Sequence, residues 1–204
     1  MASYVLEGLM ESVLADDATG KWFREHAAIL VVQFVDKDGV EAGDQGKNRK
    51  PYDHNRDYEG ESIYATVAAI KKLLPEWSGG RVDMAFDLHC PYIQDSLIQF
   101  VGVPDEDIWQ RTLKLSQCLQ SCQTGPLRHD ASGNMPFGTG WNTGSALKTA
   151  SFAAWASGLP NMRIATTIEI PYSQVGRTSV SAASASQLGR DLGSAIRAYF
   201  EKEP

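Results

Sequence analysis

The run Ala28-Ile-Leu-Val-Val-Gln-Phe-Val35 constrains the fold more than any other segment, because seven of its eight residues are apolar and they do not alternate with polar ones. A strand with one wet face alternates, since successive side chains point to opposite faces; an unbroken apolar run fits a strand covered on both faces. Sheets covered on both faces are largely parallel, and parallel strands are joined by crossover helices. The surrounding pattern agrees. Residues 2–15 place Val5, Leu6, Leu9, Met10, Val13 and Leu14 on one helical face, with only Ser3 available as a cap. A helix is predicted over about 61–74 (Ile63, Val67, Ile70, Leu73, Leu74), ended by Pro75 and Gly79-Gly80. Strands are predicted at 82–88 and 96–101, a helix at 105–122, a helix at about 145–156, a strand at 163–170 and a last helix at about 180–200. That alternation predicts the α/β class: a central mixed β-sheet flanked by helices on both sides.

The chain's 204 residues suit one domain, 1–204, with a sizeable core. A net charge of -6 argues against a general nucleic-acid binder, whose phosphate contacts need basic surface. No apolar run approaches the roughly 20 residues that span a bilayer, and the first residues lack a signal peptide's basic region, so no membrane partner is expected. Three cysteines cannot build a disulfide framework. Cys118 and Cys122 fall one turn apart on a predicted helix, as a buried reduced pair would, which points to a reducing, cytoplasmic setting.

Two polar stretches interrupt the pattern. Residues 36–60 and 124–143 are rich in Gly, Asp, Asn, Pro and Ser, and loops of such length in a small domain commonly carry function. The first holds Lys47, Arg49, Asn55 and Arg56. Guanidinium grips a carboxylate through two parallel hydrogen bonds, although a solvated basic loop would have the same composition. His89 stands just past an apolar strand in Asp87-Leu-His-Cys-Pro91, either as a hydrogen-bonded strand-end histidine or as a metal ligand. Glu169 lies in the apolar strand Ile164-Ala-Thr-Thr-Ile-Glu169; a carboxylate there needs a partner or a raised pKa, as a structural ion pair or a general base would have. Reactive groups of open α/β sheets gather at the carboxyl ends of the strands. An arginine, a histidine and a carboxylate meeting there suggest metal-assisted hydrolysis of an anionic substrate.

These segments carry a resemblance. Asp36-Lys-Asp-Gly39 resembles the Asn-Pro-Asp-Gly segment of the zinc carboxypeptidases, and Asp53-His-Asn-Arg-Asp-Tyr58 resembles their Asp-Leu-Asn-Arg-aromatic segment. Asp87-Leu-His89 is similar to the strand end bearing their last zinc-ligating histidine, and Thr167-Ile-Glu169 to the strand bearing their catalytic glutamate. Gly43 to Arg49 looks closest to the cytosolic type. The resemblance implies that His89 binds zinc, that Glu169 serves the zinc-bound water as base, and that Asn55 and Arg56 hold the substrate's terminal carboxylate. Arg49, or Lys47, would polarise the scissile carbonyl. It implies a peptide substrate with a free carboxylate; the related deacylases would take an N-acyl amino acid, and a non-catalytic relative would only bind carboxylates.

Two family features are missing. No His-x-x-Glu, the source of the other two zinc ligands, occurs in the sequence, and Met1-Ala-Ser-Tyr-Val-Leu-Glu-Gly8 resembles the family's segment just after that motif. An upstream portion with those ligands is therefore expected to lie outside these residues, leaving zinc weakly held and a sheet edge open to another chain, a homo-oligomer included. The family's tyrosine some twenty residues before the catalytic glutamate is also absent; Phe152 and Trp155 are the nearest aromatics.

Overall fold

A computed structural model describes residues 1–44, 46–143 and 150–203. Helix α1 (Ala2–Leu14) has no side-chain cap, so Ser3 does not serve as one. It is followed by α2 (Ala18–His26), which the apolar pattern did not reveal; Asp17 caps it by accepting from the N–H groups of Thr19 and Gly20. Helices α5 (Glu106–Cys122) and α7 (Ala182–Lys202) stand where the periodicity puts them, α5 capped by Asp105 and α7 by a Ser181–Ser184 capping box, whereas α4 (Ala65–Ser78) begins and ends four residues later than expected and leaves Ile63 and Leu73 exposed. Strands β1 (Met84–His89), β2 (Gln99–Val101) and β3 (Ile164–Glu169) form one sheet in the order β1-β3-β2. Strand β1 runs parallel to β3 and β2 antiparallel to it, so the sheet is mixed, as expected.

Alternation along these strands builds two cores. Ile164 and Ile168 of β3, with Phe100 of β2 and the partly buried Met84, Phe86 and Leu88 of β1, face α1, α5 and α7. Ala85 and Ala165 face the opposite way, against Ala153 and Ala156 of the short helix α6 (Phe152–Ser157) and against Leu74 and Ile108. Small residues on that second face let α6 lie close over the sheet, and the sheet carries helices on both sides.

Several expectations are corrected. Residues 28–35 are not a buried strand: they belong to no sheet, the chain bends at Gln33 and Val35, and Ile29, Val31 and Val32 are 41%, 38% and 39% exposed. Burial on both faces needs layers packed above and below a sheet that includes the run, and among the described residues the run is part of no sheet. Helix α4 does not stop at Pro75 but includes it, ending at Gly79 in the left-handed region; proline removes only one backbone bond, and here it lies in the last turn. The 36–60 loop contains a capped helix, α3 (Lys37–Ala42), and two single 3₁₀ turns. Of the helix predicted over 145–156, residues 144–149 lie outside the described residues and the rest is represented by α6. A two-stranded hairpin, β4 (Gln174–Val175) and β5 (Thr178–Ser179), was too short to show as a pattern.

All three cysteines are free thiols. Cys118 is buried, but Cys122 is only half-buried, and burial raises the pKa of both. Among the described residues no helix is long and apolar enough to cross a membrane.

A buried polar cluster ties the 124–143 loop to this frame. His129, 2% exposed, places Nδ1 3.1 Å from the Ile98 carbonyl and Nε2 2.7 Å from Ser116 Oγ. A carbonyl only accepts, so Nδ1 carries the proton and Nε2 accepts from Ser116, which in turn accepts from Asn134 Nδ2. Burial is the main cause holding the His129 pKa below its ordinary 6.5, despite the Ile98 carbonyl and nearby Asp130. The folded state therefore binds this proton less readily than the unfolded state. Stability from this residue is complete above about pH 6.5 and falls as pH drops below it, by at most about 1.4 kcal/mol per pH unit. Urea unfolding between pH 7.5 and 5.5 should show that slope in the native protein and lose it in His129→Gln; equal slopes in both would contradict the assignment.

Candidate active site

Parity along two parallel strands assembles the site. Register pairs Asp87 with Thr167 and His89 with Glu169, and residues two apart on a strand share a face. Asp87, His89, Thr167 and Glu169 therefore stand together on the α6 side of the sheet, with Ala85 and Ala165 beneath them. His89 and Glu169 are the last residues of their strands. The carboxyl-end position expected from sequence is thus occupied.

Asp87 organises the cluster. Its Oδ2 accepts from Asn55 Nδ2 at 2.7 Å and from Thr167 Oγ1 at 3.2 Å, and lies 3.6 Å from His89 Nδ1. Burial works against its ionisation, but His89, Thr167 and Asn55 outweigh burial and hold its pKa below the ordinary carboxylate value. For His89 the crowded setting opposes protonation; the Asp87 carboxylate, then Glu169, overcome this and raise its pKa to about 9. Its side chain is 44% exposed toward the cleft, whereas Glu169 is 7% exposed. The arrangement favours positive charge at His89, and a carboxylate on its Nδ1 side orients the ring with Nε2 outward. In the sequence Asp87 stands out only as part of the Asp-Leu-His motif; its parity with His89 was the available signal for this role.

The 36–60 loop delivers its residues unevenly. Asn55 and Arg56 line the same cleft as His89 and Glu169, a cavity of about 2080 Å³. Asn55 is already engaged on both sides of its amide: besides Nδ2 on Asp87, Oδ1 accepts from the Phe152 N–H at 2.8 Å, fastening the loop to the start of α6. Arg56 donates one Nη1 bond to the Asn55 carbonyl at 2.7 Å. Buried Asp57 holds the next turn of the loop, accepting from Tyr52 Oη and from the N–H groups of Ile63 and Tyr64.

Arg49 stands apart. Its Nε and Nη2 donate to Asp36 at 2.9 and 3.0 Å, its Nη1 lies 3.5 Å from Asp44, and it does not line the cleft. Burial disfavours the charge on Asp36, but Arg49 and the Gly39 N–H outweigh that and lower its pKa. Asp36 also caps α3, so this pair closes the loop on itself. The side chain of Lys47, the other candidate for that role, lies outside the described residues. Phe152 and Trp155 pack their rings 5.4 and 5.7 Å from that of Tyr58, joining α6 to the loop.

Zinc does not fit the residues present. A catalytic zinc takes three protein ligands, and among the described residues no three of His, Cys, Asp and Glu converge on a common point. His89 alone does not make a centre.

No protein-family model and no curated protein matches the chain in sequence. Solved structures match it in fold. A metallo-carboxypeptidase from Burkholderia cenocepacia superposes with a TM-score of 0.75 at 13% identity, over 99% of this chain and 53% of the other. A candidate carboxypeptidase A from Shewanella denitrificans gives 0.75 at 17%, covering 98% and 54%, and a candidate carboxypeptidase from Burkholderia mallei gives 0.72 at 14%, covering 98% and 53%. The chain spans about half the length of these structures, and over that half it has the carboxypeptidase-like α/β fold.

Proposed function

We propose that the chain forms the carboxylate-binding and general-base part of a metallocarboxypeptidase-like hydrolase that removes C-terminal amino acids from peptides. The observation that supports this reading is that His89 and Glu169 stand in register at the carboxyl ends of two parallel strands, and that Arg56, next to the Asn55 that bonds Asp87, lines the same cleft. Arg56, which with Arg81 lines that cleft, is the guanidinium next to Asn55 and grips the terminal carboxylate; Asn55 has one Nδ2 hydrogen beyond its bond to Asp87 to add. Glu169 takes the proton of the attacking water and hands it to the leaving amine. Arg49 reaches a scissile carbonyl only by exchanging Asp36 and Asp44 for substrate. Zinc enters this reading only with donors from outside residues 1–204, beside His89.

The incomplete metal set favours a second reading, carboxylate binding without cleavage. Calorimetric titration with an acetylated tripeptide, its C-terminal amide and an N-acetyl amino acid tests the shared premise. The free acid should bind best, and Arg56→Ala should weaken it by about ten- to a hundredfold while leaving the amide unchanged. Equal binding of acid and amide by the native chain overturns the reading.

A further inference from the structure

At the end of the sheet away from His89 and Glu169, three groups meet that the hydrolase reading leaves unused. Tyr199 of α7 is 1% exposed, and its Oη has no hydrogen-bond partner. Arg163 immediately precedes β3; its guanidinium lies 5.8 Å from the centre of the Tyr199 ring and 5.3 Å from that of Phe200. It donates Nη2 to the Glu203 carbonyl at 2.6 Å and has no carboxylate partner among the described residues. Arg111 of α5 is half-buried and, among the described residues, makes neither a hydrogen bond nor an ion pair. Both guanidiniums act on the Tyr199 phenol, Arg163 from close by but not in hydrogen-bond geometry. Burial outweighs them and holds the pKa of Tyr199 above the ordinary tyrosine value, so the hydroxyl keeps its proton. Glu203, the carboxylate on the same side, is engaged by Lys114 at 2.9 Å. In a chain of net charge -6, this corner gathers positive charge around a buried donor that has nothing to donate to.

We propose that Tyr199, Arg111 and Arg163 form a binding site for a small tetrahedral oxyanion of the phosphate class. The length of β3, roughly 20 Å, separates it from Glu169, and the inference does not depend on the hydrolase reading. The Tyr199 hydroxyl donates one hydrogen bond to the anion, and the two guanidiniums supply charge and forked N–H donors to its other oxygens. Competing occupants answer only part of the need. Water partners the hydroxyl but leaves both guanidinium charges unmatched, and a cation is repelled by them. A carboxylate offers two coplanar oxygens to three donor groups, whereas a tetrahedral oxyanion has an oxygen for each. The donors come from α5, from the start of β3 and from the last turn of α7, so only the folded chain brings them together. A ligand that binds the folded state alone raises the melting temperature.

The test is calorimetric titration of the 204-residue chain with inorganic phosphate in chloride buffer. One saturable site is expected, with a Kd of about 1 mM or tighter, for which sulfate competes. Arg111→Gln should weaken it about tenfold or more. That side chain bonds nothing in the described fold, so the melting temperature without phosphate should hold and shows that the variant folds. Tyr199→Phe should weaken phosphate binding about tenfold and, because it removes a hydroxyl without a partner, should melt no lower than the native chain in phosphate-free buffer. Absent saturation, or equal binding by the native chain and Arg111→Gln, overturns the site. Phosphate held in the cleft instead would be lost in Arg56→Ala and kept in Arg111→Gln, which also overturns it. A lower melting temperature of Tyr199→Phe without phosphate means that the hydroxyl already has its partner, and the proposal fails on that result as well.

Discussion

Gly189→Ala is expected to destabilise the chain by about 4 kcal/mol or more, although it adds a single methyl group to a helix. In most helices the same change stabilises by about 0.5–1 kcal/mol, because alanine loses less backbone entropy than glycine. Here α7 lies directly against α1. A Cβ at Gly189 would stand 2.0 Å from the Val5 carbonyl oxygen and 2.6 Å from the Leu9 nitrogen; one at Gly8 would stand 1.8 Å from the Ser186 carbonyl oxygen. These obstacles are backbone atoms and cannot rotate away, so relief requires the two helices to separate. Gly193 provides the control. Its added Cβ would meet Ser12 Oγ at 2.0 Å, a side-chain atom that can turn away at the loss of its hydrogen bond to the Leu9 carbonyl, and Gly193→Ala should cost less. Because α1 and α7 pack on the Met84, Phe86 and Leu88 face, separation would also loosen β1 and the histidine at its end. Urea unfolding of the two variants decides the matter. Should Gly189→Ala match or exceed native stability, α1 and α7 do not meet as described.

Much of this frame was legible because periodicity reports burial. Leu188, Leu192 and Ile196 of α7, and Ile108, Leu115 and Leu119 of α5, are buried where the helical spacing puts them, while Phe200 and Leu113 of the same faces are half-buried. Yet the row of small residues that lets α1 touch α7 carries no apolar signal at all, so periodicity could not show it. The run at 28–35 shows the opposite failure. Apolar composition states what a segment requires of its surroundings, not whether they are supplied, and here the segment is exposed. The candidate site divides along the same line. Strand parity places His89 beside Glu169, and both could be read from alternation in two short strands. What could not be read is where the loop side chains turn. Asn55 and Arg49 each have several chemically equivalent partners; the fold directs the first to Asp87 and Phe152 and the second to Asp36. Local sequence does not rank such long-range choices, because their energies differ by about the strength of one hydrogen bond.

Glu169→Gln is expected to lower turnover by about 10²- to 10⁴-fold in any preparation of this chain that releases a C-terminal residue. Glutamine keeps the shape and most of the polarity of the side chain but cannot accept a proton from water. Glu169 is 7% exposed, ends a strand whose six residues are all buried, and stands in register with a histidine whose charge it helps to favour. A carboxylate in such surroundings is costly to keep in water's absence unless its charge is used or balanced. If its role were only to balance His89, the substitution would change stability and the titration of His89 while leaving turnover nearly intact. If it is the base, kcat falls while KM for the peptide holds, because Arg56 and not Glu169 carries the binding. Steady-state kinetics alongside an NMR titration of His89 separate the two roles. Full turnover in Glu169→Gln would remove this residue from the chemistry and leave the cleft as a carboxylate-binding surface.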